Sequence, residues 1–264
     1  MKKIVLAVVI LGSSIIAFSH EFWLQPAKFM LKVNEPARVN IMVGENYKGE
    51  RSDGRRYQVL QFKHFAAGKE EVVQQPLTGK KKSSLTMAFS TAGNHMLAFS
   101  NTGKYIGLDA KKFNEYLVEE GLNNVKEWRE QHELTEKPGR EFFQRCAKTL
   151  FQVGEGQDDT YARNTGMRIE LIPAVNPYAI RNGDAVTFKV LFDNQPVKNA
   201  LVLAWQVKNG KTTVSKIRSN EAGEVSFPLE RAGRWMISSV HMVADPTGEK
   251  ADWQSFWGSY TFGY

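Results

Sequence analysis

Between Phe22 and Ser100, and again from Met167 onward, apolar side chains recur at every second position in short runs that stop at Gly, Asn, Asp or Pro. "ARVNIMVGE", "YQVLQFKHF" and "SSLTMAFS" show the pattern in the first region; "AVTFKVLFD", "EVSFPL" and "RWMISSVHMV" show it in the second. A period of two sends alternate side chains to opposite faces, so each run suits a strand with one face buried. Many such strands between turn residues pack as face-to-face antiparallel sheets, and the chain reads as mainly β.

Two sandwiches are expected, with a change of period between them. Residues 20–107 form the first, in which Thr91-Ala92-Gly93-Asn94 reads as a hairpin turn. The stretch "DAKKFNEYLVEEGLNNVKEWREQHE" spaces Phe113, Leu117, Leu122, Val125 and Trp128 at helical intervals, with Asp109 as the cap and Gly121 dividing two helices. In "REFFQRCAKTLFQVG" the residues Phe142, Phe143, Cys146, Leu150 and Phe151 fall on one helical side, so a further helix is expected after Pro138. Residues 108–153 are therefore read as a helical insert and 154–166 as a polar linker. Seven short runs in 167–264, with turns at Asn182-Gly183, Asn209-Gly210, Ala222-Gly223 and Ala232-Gly233, predict an immunoglobulin-like β-sandwich.

The first 19 residues have the form of a secretory signal: Lys2 and Lys3, an apolar run from Ile4 to Ile16, then Ala17-Phe18-Ser19 with small residues three and one before a cut. Cleavage after Ser19 places the mature chain in the periplasm, not embedded in a membrane, and leaves 245 of 264 residues, enough for two domains. The one cysteine excludes an internal disulfide framework, and Cys146 reads as a buried thiol. The formal charge of +7 is interspersed, and Lys80-Lys81-Lys82 lacks interleaved aromatics, so no nucleic-acid partner is expected. No G-x-S-x-G elbow, H-E-x-x-H helix or P-loop is present, and the chain is not expected to be an enzyme.

The cut would leave His20 as the first residue of the mature chain. A terminal histidine offers its α-amine and ring Nδ1 together, a chelating pair that an internal histidine lacks. The amine's ordinary pKa of ~8 makes its deprotonation inexpensive near neutrality. Such nitrogen donors suit nickel, cobalt and copper over magnesium or calcium. Trp23 would wall the site, and "EFWLQP" would hold it as a first strand. A second donor is sought among the other histidines. His132 lies in a charged, solvated stretch and His64 beside a loop, while His95 follows the expected hairpin turn. His241 is the strongest, in a late strand followed by Asp245, Glu249 and Asp252. Asp252, next to Trp253, is the preferred carboxylate, as ligand or as the group that holds the imidazole. The expected metal set is thus His20, His241, Asp252 and His95.

"HEFWLQP", "VGENYKGE", "YIGLDAKKFNEYLVEEGL", "PGREFFQRCAKTLFQVG", "AGRWMISSVHM" and "ADWQSFWGSYTF" together resemble the bacterial domain-of-unknown-function 4198 family. That family has been described as a periplasmic component of cobalt or nickel uptake. The resemblance implies an exported protein linked to metal transport, and it singles out His20, Trp23, His241, Asp252 and Trp253. The resulting expectation is a periplasmic binding protein that captures one divalent transition-metal ion, nickel, cobalt or copper, and presents it to a membrane or outer-membrane transporter. Two other readings stand beside it: a structural module of the cell envelope with no metal, and a copper mono-oxygenase using the terminal histidine as a brace.

Overall fold

The structure is a computed structural model and describes residues 20–264, so the signal reading of residues 1–19 lies outside the described residues. The first half forms β1 (Glu21–Pro26), β2 (Met30–Leu31), β3 (Pro36–Glu45), β4 (Lys48–Arg51), β5 (Val59–Ala66), β6 (Lys69–Val72), β7 (Ser84–Ala88), β8 (Gly93–Asn101) and β9 (Lys104–Leu108). Two helices follow, α1 (Ala110–Glu119) and α2 (Asn123–Gln131). The rest is β10 (Gly139–Val153), β11 (Ile169–Pro173), β12 (Ala185–Phe192), β13 (Gln195–Pro196), β14 (Leu201–Lys208), β15 (Lys211–Arg218), β16 (Glu224–Pro228), β17 (Arg234–Ala244) and β18 (Trp253–Gly263). The fold is mainly β.

The largest element is a ten-stranded sheet in the order β15-β14-β17-β18-β10-β8-β5-β6, with β2 and β9 also paired to β10. It takes strands from both expected sandwiches. The joint is β10 against β18, a parallel pairing from Glu141 opposite Trp253 to Thr149 opposite Thr261. A four-stranded sheet of β1, β3, β4 and β7 covers the first half, burying Phe22, Leu24, Val39 and Ile41 against Phe99 and Phe151. A second four-stranded sheet of β11, β12, β13 and β16 covers the other half, burying Leu171, Phe188 and Val190 against Ile237, Tyr260 and Phe262.

Two expectations are corrected. Residues 139–153 are a strand, not a helix: β10 lies near the middle of the large sheet, and nearly every residue from Arg145 to Val153 is buried. A strand buried on both faces loses its alternation and reads as a continuous apolar run, which periodicity alone cannot tell from a buried helix. The run Thr91–Asn94 does not close a hairpin, because β7 pairs β3 in one sheet while β8 pairs β5 and β10 in another. The turn carries the chain from one layer to the next.

The two helices were legible. Asp109 accepts from the backbone N–H of Lys112 at 2.9 Å, and Gly121 sits at φ +66° between them, where a side chain would be strained. Phe113, Tyr116, Leu117 and Val125 seat the pair on Val240, Met242, Trp253 and Trp257, on the face of the large sheet opposite β12. Gly139 permits this docking: a Cβ there would stand 2.3 Å from the Phe113 ring.

Candidate functional site

On the face that carries the helices, a gap remains between the end of α1 and the β3–β4 turn. Its floor comes from β17 and β18, where Ser238 is opposite Ser259 and Val240 opposite Trp257. Its walls come from Glu21 and Phe22 of β1, Leu203 and Trp205 of β14, and Glu119 and Glu120 at the end of α1. The cleft has a volume of about 100 Å³, several times what one water needs. Past Glu45, Asn46 and Trp205 it continues into a wider groove lined by His20, Lys48, Glu50 and Thr212.

Strand β1 places His20 and Glu21 here. It pairs antiparallel with β3, Glu21 opposite Gly44. Its alternation sends Phe22 and Leu24 into the first core while Trp23 packs with Tyr47, Leu203, Trp205 and Met236. The β3–β4 turn has Asn46 and Tyr47 both at φ +54°, the primed conformation that suits a two-residue hairpin. Tyr47 tolerates it because its ring is fully buried edge-on to Trp23 and its hydroxyl donates to the Trp235 carbonyl at 3.3 Å. This fixes Glu45, whose Oε1 lies 3.6 Å from His20 Nε2.

Beneath His20 lies a buried charge. Arg145 donates from Nη1 to the His20 carbonyl at 2.7 Å, and its guanidinium stacks 4.4 Å from the Trp257 ring centre, with Tyr116 parallel to the same indole. Burial lowers the Arg145 pKa. Burial also pushes the Glu21 carboxyl up to about 8, with Glu120 adding to the rise and Arg145 opposing it. Glu141 is raised to about 7 by burial, against the pull of the Tyr116 hydroxyl and Arg145. Although Tyr116 lies near enough to act on Glu141, neither its hydroxyl nor Glu141 Oε2 makes a well-formed hydrogen bond; Glu21 Oε2 and Ser259 Oγ are likewise buried without partners.

The sign of the Glu141 effect follows from its raised folded-state value. The folded chain holds this proton more tightly than the unfolded chain, so the contribution to stability is whole below pH 4.5 and is lost as pH rises through about 7. The span corresponds to about 3 kcal/mol. Glu141→Gln should therefore flatten the fall in stability between pH 4.5 and 7, measured as urea midpoints across that range. An unchanged slope would place the proton elsewhere.

The four expected metal ligands do not come together. His20 is at the groove. His241 lies on the other face of β17 from Ser238 and Val240, against the Phe192 ring at 4.5 Å, and burial lowers its pKa. The period of two that lines the cleft with Ser238 necessarily turns His241 away from it. Asp252 is held by Arg140, through Nη2 at 2.6 Å and the backbone N–H at 3.1 Å, so both oxygens are engaged. His95 has both ring nitrogens occupied, Nδ1 by His64 Nε2 at 2.9 Å and Nε2 by the Thr91 carbonyl at 3.0 Å. Trp23 and Trp253 are buried core residues. Among the described residues no three His, Cys, Asp or Glu side chains converge as a metal site. Cys146 is buried, and burial pushes its thiol up to about 12.

The sequence reading missed Glu21, Glu45, Glu141, Arg145 and Ser259. A signal was present for two of them. Glu141 and Arg145 are charges inside the apolar run "REFFQRCAKTLF", and a charge in a buried strand needs a partner or a task.

A family model described as "Domain of unknown function (DUF4198)" matches residues 17–243. No curated protein matches the chain. Among solved structures, a DUF4785 family protein from Legionella pneumophila is similar at 10% identity and a TM-score of 0.26, over 81% of this chain and 51% of that one. An α-2-macroglobulin from Escherichia coli is similar at 10% identity and a TM-score of 0.24, over 93% of this chain and 20% of that one. The chain thus spans about half of the first and a fifth of the second.

Proposed function

The chain belongs to the DUF4198 family, and from that premise we propose that it is a periplasmic binding protein, not an enzyme, that captures one divalent transition-metal ion at its mature N-terminus and supports the ion's uptake. The observation that carries this reading is the placement of His20 at the rim of a carboxylate-lined groove, with Glu45 Oε1 3.6 Å from its Nε2 and Arg145 holding its carbonyl. Cleavage after Ser19 would add the α-amine. Amine and ring Nδ1 then chelate the ion, while Glu45 orients the ring from Nε2, as carboxylates do behind ligating histidines.

The anchored carbonyl favours the reading because ordering a loose terminal residue costs about 1–2 kcal/mol. Nickel, cobalt or copper suits the nitrogen pair. A membrane or outer-membrane transporter is the proposed recipient, and the layered halves of the chain are read as immunoglobulin-like sandwiches that present the terminus. Among the described residues no helix is long and apolar enough to cross a membrane, which agrees with a chain that is not embedded through helices.

The test is to titrate copper, nickel, cobalt and zinc into mature protein whose first residue has been confirmed by intact mass. One metal should bind at a single site, and His20→Ala should abolish it while His241→Ala leaves it in place. Equal affinity in wild type and His20→Ala would overturn the proposal.

A further inference from the structure

The enclosed cleft beside the groove has a chemistry of its own. Four carboxyl groups line it, from Glu21, Glu45, Glu119 and Glu120, against one ammonium from Lys216. Its floor holds an independent feature: Ser259 is 4% exposed, lines the cleft, and has an Oγ with no hydrogen-bond partner. Buried polar atoms are seldom left unpaired, and each one that is costs about 1–3 kcal/mol. Glu21 Oε2, on the wall, is unpartnered as well. Ser238 Oγ is already bonded to the Trp205 Nε1–H at 3.1 Å, which leaves its own proton free to rotate.

The acceptors left without a partner, Glu21 Oε2 and Ser259 Oγ, lie apart from the Glu119 side chain, so the acceptors are spread rather than focused. Because no three carboxylates converge among the described residues, a bare ion at one point would meet too few of them. An occupant able to answer several must be extended and carry N–H donors at more than one position. Trp205 and Leu203 supply apolar walls for a short hydrocarbon stem.

We propose that this cleft binds a small organic cation, a protonated aliphatic amine or diamine, with one ammonium donating to Ser259 Oγ and Glu21 and the rest of the molecule directed toward Glu119. Hydrogen bonds donated by an ammonium are charge-assisted. The site shares Glu45 with the rim of the proposed metal chelate but does not need the ion.

The test uses mature protein washed with chelator, so that metal plays no part, titrated by calorimetry with 1,4-diaminobutane, ethanolamine and the uncharged control 1,4-butanediol. A saturable 1:1 isotherm is expected for the amines and none for the diol. Ser259→Ala removes an unsatisfied hydroxyl and should fold at least as well as the parent, yet lose about tenfold in amine affinity; Glu119→Gln should lose affinity as well. No amine binding, binding of the diol equal to that of the diamine, or amine affinity unchanged in both variants would each overturn the proposal. Because the metal titration is a separate measurement, either proposal can fail without the other.

Discussion

Inserting one alanine between Ser19 and His20 should lower the affinity of the mature protein for the metal proposed to bind there by a hundredfold or more. The variant keeps every side chain of the wild type and moves only the amine, which then belongs to alanine and no longer closes a ring with His20 Nδ1. For scale, a four-donor zinc site is worth about 10–16 kcal/mol, or about 3 kcal/mol per donor, and 1.4 kcal/mol is tenfold. Because Arg145 grips the His20 carbonyl rather than the amine, the insertion should leave β1 and the thermal midpoint unaltered. Calorimetric titration after intact-mass confirmation of the new first residue gives the answer. Undiminished affinity would remove the α-amine from the ligand set.

The largest effect on stability is expected at Lys148→Met. Lys148 on β10 and Glu170 on β11 are each 1% exposed and form an ion pair across the layers, with the Lys148 ammonium 5.5 Å from the Tyr260 ring centre. Glu170 also accepts from Thr165, through the backbone N–H at 2.9 Å and the hydroxyl at 2.7 Å. Removing the lysine leaves a buried carboxylate with neutral partners alone, a change that costs about 3–5 kcal/mol. The double variant Lys148→Met, Glu170→Gln should recover most of that loss, since taking away both charges removes the desolvation along with the attraction. Urea midpoints for the single and double variants distinguish the cases. A loss below 1 kcal/mol in the single variant would mean that water reaches Glu170.

The legible parts of this chain were those set by local chemistry. Asp109 capping α1 and Gly121 separating the helices depend on neighbours a few residues away, and both were read correctly from the sequence. Strands β12 and β16 bury one face against the large sheet and turn the other outward, so their alternation survived. Strand β10 failed for the opposite reason: with layers on both sides, Ala147, Leu150 and Phe151 were all drawn inward, and nothing in the run marked it as extended.

The site divides in the same way. Sequence singled out His20 because its value is positional, lying one residue beyond a cleavage pattern. It could order the residues of β17 by face, with His241 on the side away from Val240, but not say which side bore the cleft. Glu45, Arg145 and Ser259 reach His20 and Glu21 only through pairings between strands that are not neighbours in sequence, β1 with β3 and β10 with β18.

What the sequence determined by itself was therefore the mainly β architecture and the helix pair, because periodicity and capping act over one or two turns of chain. What only the tertiary structure decided was the shared ten-stranded sheet and the cleft above it. Those depend on which strands become neighbours, and Arg145 meets His20 across 125 residues because the burial of β10 and β1 as whole strands puts it there, not because of any local preference of either residue.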